Sequence, residues 1–318
     1  MSLDYFPVVS QVPVTAETLE LPIDYALLRK WLVRFLRDEI LGRCGMDGGI
    51  VGLSGGVDSS VVAYLAVEAF GPENVFGVCM PYGPVSSPTS LAHAQQVIQQ
   101  LGIGHRVIDI APMVDGYGDP SISPARRGNL CARLRMAILY DLSQKSLEQG
   151  PKRLLPLGTG NKSERLLGYF TWHGDDAPPI NPLGDVWKTW VWGLARHLGV
   201  PTEIVEKPAS ADLIVGQTDE GDLKVTYPVA DKILYLRVER GWSREEILAL
   251  GFAEADVDAV LSRLESTHFK RELPIVAMVT QSSIGDYYLR TPDYRAWSHA
   301  GAQLSREHRE TVPPSSSS

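Results

Sequence analysis

A short stretch of the sequence, VGLSGGVDSS at 51–60, joins an apolar run to two glycines, a carboxylate and several hydroxyls. Gly55 and Gly56 allow backbone conformations that other residues avoid and let a ligand approach the main chain. A helix that begins near Ser59 would point unpaired N–H groups and its positive dipole end at this loop, which favours an anion. Asp58 has no cationic partner nearby in the sequence and would repel a phosphate unless a divalent cation lay between them. The stretch predicts a nucleotide-phosphate site with Mg²⁺, and a capped strand-to-helix turn is the simpler alternative.

Four other polar side chains each have an ordinary structural interpretation when the residues alone are considered. Glu164 lies early in a predicted helix, where a carboxylate either caps the helix or binds a metal ion. Thr159, at the end of a predicted strand, is typical of a local hydroxyl turn. Lys188 and Arg133 are ordinary solvent-facing helix residues unless an anion binds beside them. The residue types therefore permit chemistry at these positions without requiring it.

Apolar runs of strand length alternate with segments of helical periodicity through the first two thirds of the chain. The predicted strands are 48–54, 75–81, 105–110 and 153–159. The predicted helices are 24–41, 59–70, 87–102, 127–144, a short one that opens at 161, 185–199, and two short surface helices within 243–267. This alternation predicts an α/β fold with a Rossmann-like parallel sheet flanked by helices. Ligands bind such sheets at the carboxyl ends of the strands, where the 51–60 stretch lies.

The composition is that of a globular protein, since 44% of the 318 residues are hydrophobic and 21% are charged. No window of about 18 apolar residues and no secretory signal are visible, so we expect a cytoplasmic protein without a membrane span. The net charge of -8 argues against broad nucleic-acid binding. Cys44, Cys79 and Cys131 lack the spacing of a metal site, so we expect reduced, buried thiols.

Several blocks of the sequence resemble known enzymes, and they do so in a fixed order. The segment SGGVDSS is similar to the SGGxDS loop of the PP-loop ATP pyrophosphatases, which holds the phosphates of ATP. The blocks at 157–175, 180–201 and 207–223, together with GNLCARLRM, resemble the ammonia-dependent NAD synthetase family. The chain then divides into an N-terminal extension at 1–22, a synthetase domain at 23–275, and a C-terminal extension at 276–318 with a disordered tail.

The resemblance also implies roles for individual residues. Asp58 and Glu164 would bind Mg²⁺, and Lys188 would contact phosphate and offset the charge that develops in the reaction, so these three are the implied catalytic residues. The implied ATP contacts are Gly52, Leu53, Ser54, Gly55, Gly56, Val57, Asp58, Ser59, Thr159, Lys188 and Ser210. The implied deamido-NAD contacts are Arg133, His268 and Lys270, although Phe269 separates two residues that are often adjacent in the family.

Two positions depart from the family pattern FTKYGDGGADINP, because this chain reads FTWHGDDAPPINP. Trp172 stands where the family has lysine, and Pro179 stands where it has the aspartate before INP. Trp172 can stack on a planar ring but cannot donate a charged hydrogen bond. His173, Asp175 or Asp176 could replace the missing groups. The sequence therefore predicts an intact ATP half and an altered acceptor half.

The resemblance implies ATP-dependent amidation of deamido-NAD to NAD with ammonia, through an adenylated carboxylate and with release of AMP and pyrophosphate. Two alternatives stay open: the same chemistry on a different carboxylate, and a nucleotide-binding module without catalysis. No glutaminase module is visible, so free ammonia or a separate partner is the expected nitrogen source. The resemblance also implies a homodimer, and Trp187, Trp190 and Trp192 on one helix are either interface anchors or core residues.

Overall fold

A computed structural model of the chain describes residues 15–83, 86–210, 218–272 and 277. Its centre is a parallel sheet of four strands in the order β3-β2-β1-β4. The strands are β1 (Gly48–Gly52), β2 (Val75–Cys79), β3 (Gly104–Val107) and β4 (Leu154–Leu157). All four predicted strands are present, each shorter than predicted, and the predicted parallel α/β sheet is confirmed. Residues 1–14 of the predicted N-terminal extension, and most of the predicted extension at 276–318, lie outside the described residues.

Helices connect the strands and continue beyond the last of them. In chain order they are α1 (Tyr25–Leu36), α2 (Val57–Phe70), α3 (Pro88–Leu101), α4 (Ala111–Asp115), α5 (Pro124–Gln149), α6 (Lys162–Leu166), α7 (Lys188–Leu198), α8 (Thr202–Val205), α9 (Asp219–Leu223), α10 (Tyr227–Leu234), α11 (Arg244–Ala249) and α12 (Glu254–Ser266). Helices α1 and α10 continue into π-helical turns at Arg37–Arg43 and Tyr235–Glu239, and short 3₁₀ segments lie at Pro72–Asn74 and His268–Arg271.

Helix α2 begins at Val57 rather than near Ser59, which corrects the predicted start. Gly56 is the N-cap residue, and its carbonyl oxygen accepts hydrogen bonds from the hydroxyls of Ser59 and Ser60 at 3.1 and 2.8 Å. Ten of the 14 residues in α2 are buried, so its sequence is apolar on every side and lacks a periodic pattern that would mark the first turn. The consequence is that Asp58 lies inside the helix, in its first turn.

The chain between residues 200 and 242 contains helices that the apolar pattern did not predict. Helix α10 is only eight residues long and carries a proline in its first turn, so its periodicity spans little more than two turns. It packs with α11 and α12 around a second apolar core, in which Ile247 and Val257 have no exposed surface. The two helices predicted within 243–267 are therefore confirmed. They were predicted as surface helices, and the structure adds that each packs one side against this core.

Residues 15–22 of the predicted N-terminal extension lie against this second core. The main-chain N–H of Ala16 donates to the oxygen of Leu250 at 2.9 Å, and Lys232 Nζ donates to the oxygen of Ala16 at 2.9 Å. The indole N–H of Trp190 donates to the oxygen of Leu21 at 2.7 Å. These contacts attach the segment to α7, α10 and the turn after α11.

The tryptophans and cysteines divide between core and surface. Trp187 has no exposed surface, and Trp190 and Trp192 are partly buried against both apolar cores, which favours the core interpretation of that helix. Cys79 and Cys131 are buried as expected, whereas Cys44 is exposed at the end of the π-helical turn after α1, so the expectation for Cys44 was wrong. No helix in the described part of the chain combines the length and apolar composition that a membrane span needs.

Candidate active site

A cavity of about 500 Å³ lies at the carboxyl ends of β1, β2 and β4. Its position is the one expected for ligand binding to a parallel sheet. The sequence-predicted site residues that line it are Gly52, Leu53, Ser54, Gly56, Val57, Asp58, Ser59, Thr159, Glu164, Lys188, Ser210 and Lys270. Gly55, Arg133 and His268 do not line it. Gly55 nevertheless shapes the loop between β1 and α2, whereas Arg133 and His268 lie outside the cavity.

Gly55 fixes the loop between β1 and α2. Its φ is +78°, and a Cβ at this position would lie 1.9 Å from the carbonyl oxygen of Ser90 in α3. Both the left-handed backbone and the close approach of α3 therefore require glycine. The hydroxyls of Ser54 and Ser59 lie 3.2 Å apart, and the N–H of Gly56 donates to Ser54 Oγ at 3.2 Å. The loop holds the N-terminus of α2 at the cavity, where its N–H groups and dipole favour an anion.

Lys188 joins the two predicted metal ligands. Its Nζ lies 2.5 Å from Asp58 Oδ2 and 3.2 Å from Glu164 Oε1, and its side chain is only 2% exposed. The interpretation of Lys188 as a solvent-facing helix residue is therefore wrong. Asp58 does have a cationic partner, 130 residues away in the sequence. Asn161 completes the arrangement, since its Nδ2 donates to Asp58 Oδ1 at 2.9 Å and its main-chain N–H donates to Glu164 Oε2 at 3.2 Å.

Both interpretations of Glu164 have support in the structure. It forms a capping box with Asn161 at the start of α6, and it also faces the cavity next to Lys188. Thr159 precedes α6 and lines the cavity as well. A capping role and a ligand-binding role are thus compatible for Glu164, because its two carboxylate oxygens have different partners.

The charges in this cluster do not balance. Burial raises the pKa of Glu164 to about 8, with Lys188 lowering it and Asp58 and Asp219 raising it further. Burial also lowers the pKa of Lys188, but Asp58 and Glu164 outweigh this effect and hold it above its usual value. Three carboxylates therefore act on one ammonium group in a buried place, and a divalent cation fits this excess of negative charge. Among the described residues no three His, Cys, Asp or Glu side chains are grouped so that they could hold a metal ion.

The position of Lys188 depends on a carboxylate that sequence reasoning missed. Lys188 is the first residue of α7, and Trp187 before it makes no side-chain cap. Instead, Asp231 of α10 accepts hydrogen bonds from Thr189 N at 2.9 Å and Thr189 Oγ1 at 2.8 Å. Asp231 also accepts from Ser163 Oγ at 2.5 Å, and that hydroxyl accepts from Lys188 N at 2.9 Å. An aspartate in an apolar helix, YPVADKIL, was the available signal.

The residues implied in binding the acceptor form a more open surface, which we call the acceptor rim: Arg133, Trp172, His268, Phe269 and Lys270. Arg133 donates from Nε and Nη2 to the oxygen of Trp172 at 3.2 and 3.1 Å. The Trp172 ring stacks on His173, with centroids 4.4 Å apart, and meets the edge of Phe269 at 5.5 Å. His268 is 68% exposed and pairs with Glu272. These side chains lie beside the cavity without lining it, except for Lys270.

Lys270 and Asp175 connect the acceptor rim to the cavity. Lys270 Nζ donates to the carbonyl oxygens of Gly168 and Phe170, both at 2.8 Å, and lines the cavity. Of the three residues considered as replacements for the missing family groups, Asp175 lines the cavity, while His173 and Asp176 do not. Pro179 is exposed.

Fold and site together define a nucleotide-binding α/β protein of the PP-loop class. A family model described as NAD synthase matches residues 28–274. A protein from Trichlorobacter lovleyi named NH(3)-dependent NAD(+) synthetase is 46% identical over 266 residues, which cover 83% of this chain and 94% of the relative. A protein of the same name from Chlorobaculum parvum is 42% identical over 271 residues, covering 85% and 95%.

Solved structures show the same similarity. The structure of NMN synthetase from Francisella tularensis superposes with a TM-score of 0.69 at 29% identity, covering 80% of this chain and 99% of that one. The NH3-dependent NAD synthetase from Campylobacter jejuni, in complex with the nitrate ion, superposes with a TM-score of 0.66 at 28% identity, covering 80% and 100%. The chain belongs to the NAD synthase family, and the fold and family that its sequence predicted are confirmed.

Proposed function

We propose that this chain amidates deamido-NAD to NAD with ammonia, at the expense of ATP. The observation that carries the proposal is the buried cluster of Asp58, Glu164 and Lys188 beside the SGGVDS loop. The length and order of the similarity to proteins named NH(3)-dependent NAD(+) synthetase support the same activity. The nitrogen source we propose is ammonia itself.

The reaction has two steps, and the residues of the cavity serve the first most directly. An oxygen of the nicotinate carboxylate attacks the α-phosphorus of ATP, and the bond from that phosphorus to pyrophosphate breaks. The loop from Gly52 to Ser59 would hold the phosphates with its N–H groups, and Lys188 would offset the charge that pyrophosphate acquires. Asp58 and Glu164 are the residues that would hold Mg²⁺, and the chemistry it supplies when bound is neutralisation of phosphate charge.

In the second step the nitrogen of ammonia attacks the carbonyl carbon of the adenylate. The C–N bond forms, the C–O bond to AMP breaks, AMP leaves with the electron pair, and the nitrogen loses one proton to solvent. The enzyme's contribution here is positioning, because a nucleophile that is held in the right orientation reacts far faster than the same nucleophile in free solution. Thr159 and Ser210 line the cavity and would contact ATP, while Arg133, His268 and Lys270 at the acceptor rim would contact the dinucleotide.

A direct assay tests this function. Purified protein is mixed with ATP, Mg²⁺, ammonium and deamido-NAD, and NAD, AMP and pyrophosphate are measured. We expect the three products in equal amounts, and their loss in Asp58→Asn. Absence of NAD and AMP over a range of pH and ammonium concentration would overturn the proposal. Product formation that survives in Asp58→Asn would show that the proposed cluster is not the site.

A second candidate function is amidation of a smaller acceptor, nicotinate mononucleotide, to NMN. Two observations favour it: the similarity to a structure named NMN synthetase, and Trp172 and Pro179 in place of the family's lysine and aspartate. The comparison is made with nicotinate mononucleotide in the same assay. We expect kcat/KM to be at least tenfold higher for deamido-NAD, and the reverse ratio would establish the second candidate.

We also propose a homodimer in the cytoplasm. The exposed apolar side chains Leu27 and Trp31, 65% and 66% exposed on α1, support a contact between copies. Light scattering on the purified chain measures its mass directly. A monomer at all protein concentrations would overturn the dimer, and recovery in the membrane fraction of lysed cells would overturn the location.

A further inference from the structure

Asp231 is a buried carboxylate that no step of the proposed reaction uses directly. It lies in α10, has no exposed surface and does not line the cavity. Its Oδ1 accepts a hydrogen bond from Ser163 Oγ at 2.5 Å, and its Oδ2 accepts from Thr189 N at 2.9 Å and Thr189 Oγ1 at 2.8 Å. Burial of a carboxylate is costly unless its oxygens are well hydrogen-bonded, and here the donors come from two other helices.

The two donor residues are sequence neighbours of the groups that face ATP. Ser163 immediately precedes Glu164 in α6. Thr189 immediately follows Lys188 at the start of α7. The hydroxyl of Ser163 also accepts a hydrogen bond from Lys188 N at 2.9 Å. One carboxylate in α10 therefore connects the two main-chain segments that carry the side chains of Glu164 and Lys188.

Asp231 also takes the place of a cap at the start of α7. Within the described chain, Trp187 at the N-cap position makes no side-chain capping bond. Thr189 N is one of the N–H groups that a helix leaves unpaired in its first turn, and a carboxylate is favoured there by the helix dipole. Because this carboxylate comes from α10, the docking of α10 sets the direction in which α7, and with it Lys188, begins.

Helix α10 contacts the other end of Lys188 as well. Tyr227 lies one turn before Asp231 in the same helix, and Lys188 Nζ lies 5.3 Å from the centroid of its ring. The face of an aromatic ring attracts a cation. The main chain of Lys188 and its ammonium group are therefore both positioned from one helix.

The distances at the ammonium group leave little room for a shift of α7. Lys188 Nζ lies 2.5 Å from Asp58 Oδ2 and 3.2 Å from Glu164 Oε1. Hydrogen bonds are lost beyond about 3.5 Å, so a shift of well under 1 Å would break the contact with Glu164. A displacement of about 1 Å near a reacting centre can lower a rate by about 100-fold.

We propose that Asp231 is a positioning residue that sets the distance between the ammonium group of Lys188 and the carboxylate of Glu164. The inference rests on the proposed amidation and adds to it a residue outside the cavity on which the rate depends. Asp231 contacts neither substrate, so it acts on kcat through Lys188 and leaves the binding of ATP and acceptor almost unchanged.

The experiment compares amide formation and thermal unfolding of the full-length protein with those of Asp231→Asn. Asparagine has one acceptor oxygen, so it cannot replace both oxygens of the carboxylate. Glu239→Gln is the matched control, because Glu239 follows α10 in its π-helical turn and bonds to Lys162 of α6 at 2.6 Å. It removes another carboxylate that links these helices, and neither Glu239 nor Lys162 lines the cavity.

For Asp231→Asn we expect kcat to fall about 10- to 100-fold, with the KM for ATP and the KM for the acceptor within about threefold of wild type. Glu239→Gln should change kcat by less than about twofold. Thr189→Val removes one hydroxyl donor and should lower kcat by a smaller factor, and Thr189→Ser should recover most of that loss. The Thr189 pair decides the matter if Asp231→Asn does not fold, as judged by thermal unfolding.

A double-mutant cycle separates positioning of Lys188 from a general loss of structure. If Asp231 acts through the ammonium group, adding Asp231→Asn to Lys188→Met should lower kcat by less than about twofold further. The unfolding temperature should still fall in the double variant, because the buried hydrogen bonds are lost in either background.

Each other outcome contradicts the inference. A normal kcat in folded Asp231→Asn, or in Thr189→Val where that pair decides, overturns it. An equal fall of kcat with and without Lys188 shows that Asp231 does not act through the ammonium group. If wild type amidates nicotinate mononucleotide but not deamido-NAD, the proposed acceptor fails, and the same comparison with the mononucleotide still decides the role of Asp231. If wild type amidates neither, both proposals fail.

Discussion

Lys188 and Trp172 represent two regions of the cavity that are built differently. Lys188 is almost completely buried, its main chain and its ammonium group both have hydrogen-bond partners, and those partners come from α2 and α6. Among the described residues, Trp172 is held by a hydrogen bond from Arg133 to its carbonyl oxygen, and its ring contacts His173 and the half-exposed Phe269. We call the 52–59 loop, Glu164 and Lys188 the nucleotide end of the cavity. The nucleotide end is a fixed network of hydrogen bonds, whereas the acceptor rim consists mainly of contacts at the surface.

The difference shows how the two regions can vary. A change at the nucleotide end leaves a buried charge without its partner, which is severely destabilising. A change at the acceptor rim alters a contact that water already reaches, so a substitution there lowers the free energy of unfolding only slightly. This is the physical reason that the chain can keep the SGGVDS loop and the family's Asp58, Glu164 and Lys188 while it replaces a lysine with Trp172 and an aspartate with Pro179.

The largest effect is expected for Lys188→Met. Removing the ammonium group leaves Asp58 and Glu164 facing each other and the phosphates, so kcat should fall about 10²- to 10³-fold, the loss seen when one group that stabilises developing charge is removed. Lys162→Met is the matched control, because Lys162 also bridges two carboxylates, Asp185 at 2.7 Å and Glu239 at 2.6 Å, but lies outside the cavity. Equal losses of kcat in both variants would contradict the catalytic role of Lys188.

The next effect is expected for Gly55→Ala. The new Cβ would collide with the main chain of α3 at Ser90, so the loop must move and the KM for ATP should rise about tenfold or more. Gly102→Ala is the control for backbone strain, since Gly102 has a similar φ of +63° but no atom of another described residue would lie within 4 Å of its Cβ. The control should cost about 1 kcal/mol of unfolding free energy and leave the KM for ATP unchanged. Kinetics and urea unfolding measure both, and a normal KM for ATP in Gly55→Ala would contradict the argument.

The sequence predicted the strands, the long helices and the phosphate-binding loop better than it predicted which charged side chains pair with one another. The strands and the long helices follow from periodicity, and the loop follows from a motif whose residues are contiguous. The partnership of Lys188 with Asp58 spans 130 residues, so no local pattern could show it. The same holds for Asp231, whose bonds to Ser163 and Thr189 depend on how α10 docks onto α6 and α7.

The burial of Asp219, a carboxylate that lines the cavity, was equally hidden from the sequence. The segment TDEGDL reads as an acidic, turn-rich stretch, and acidic residues in such a stretch are normally solvated. Burial of Asp219 results from packing against Tyr227, which lies in the unpredicted helix α10. Missing that helix therefore also concealed the carboxylate.

A smaller effect is expected at the acceptor rim, for Trp172→Ala. Aromatic contacts contribute about 0.5 to 1.5 kcal/mol beyond burial, so the KM for the acceptor should rise about 2- to 12-fold. The KM for ATP should not change, because Trp172 does not line the cavity. Trp172→Phe keeps an aromatic face and should recover most of the loss. Steady-state kinetics with each substrate varied decides the matter, and a matching rise in the KM for ATP would show that the two regions are not independent.

The smallest effect, none on activity, is expected from alkylation of the cysteines. Cys79 lines the nucleotide end, but burial raises the pKa of its thiol to about 11, so at neutral pH it stays protonated and unreactive. Burial raises the pKa of Cys131 as well, whereas Cys44 is exposed. Iodoacetamide at neutral pH should therefore modify one thiol per chain, by mass spectrometry, and leave kcat intact. Cys44→Ser should abolish the modification. Labelling of Cys79 with loss of activity would mean that the nucleotide end opens to solvent far more often than its contacts indicate, and the contrast with the acceptor rim would then fail.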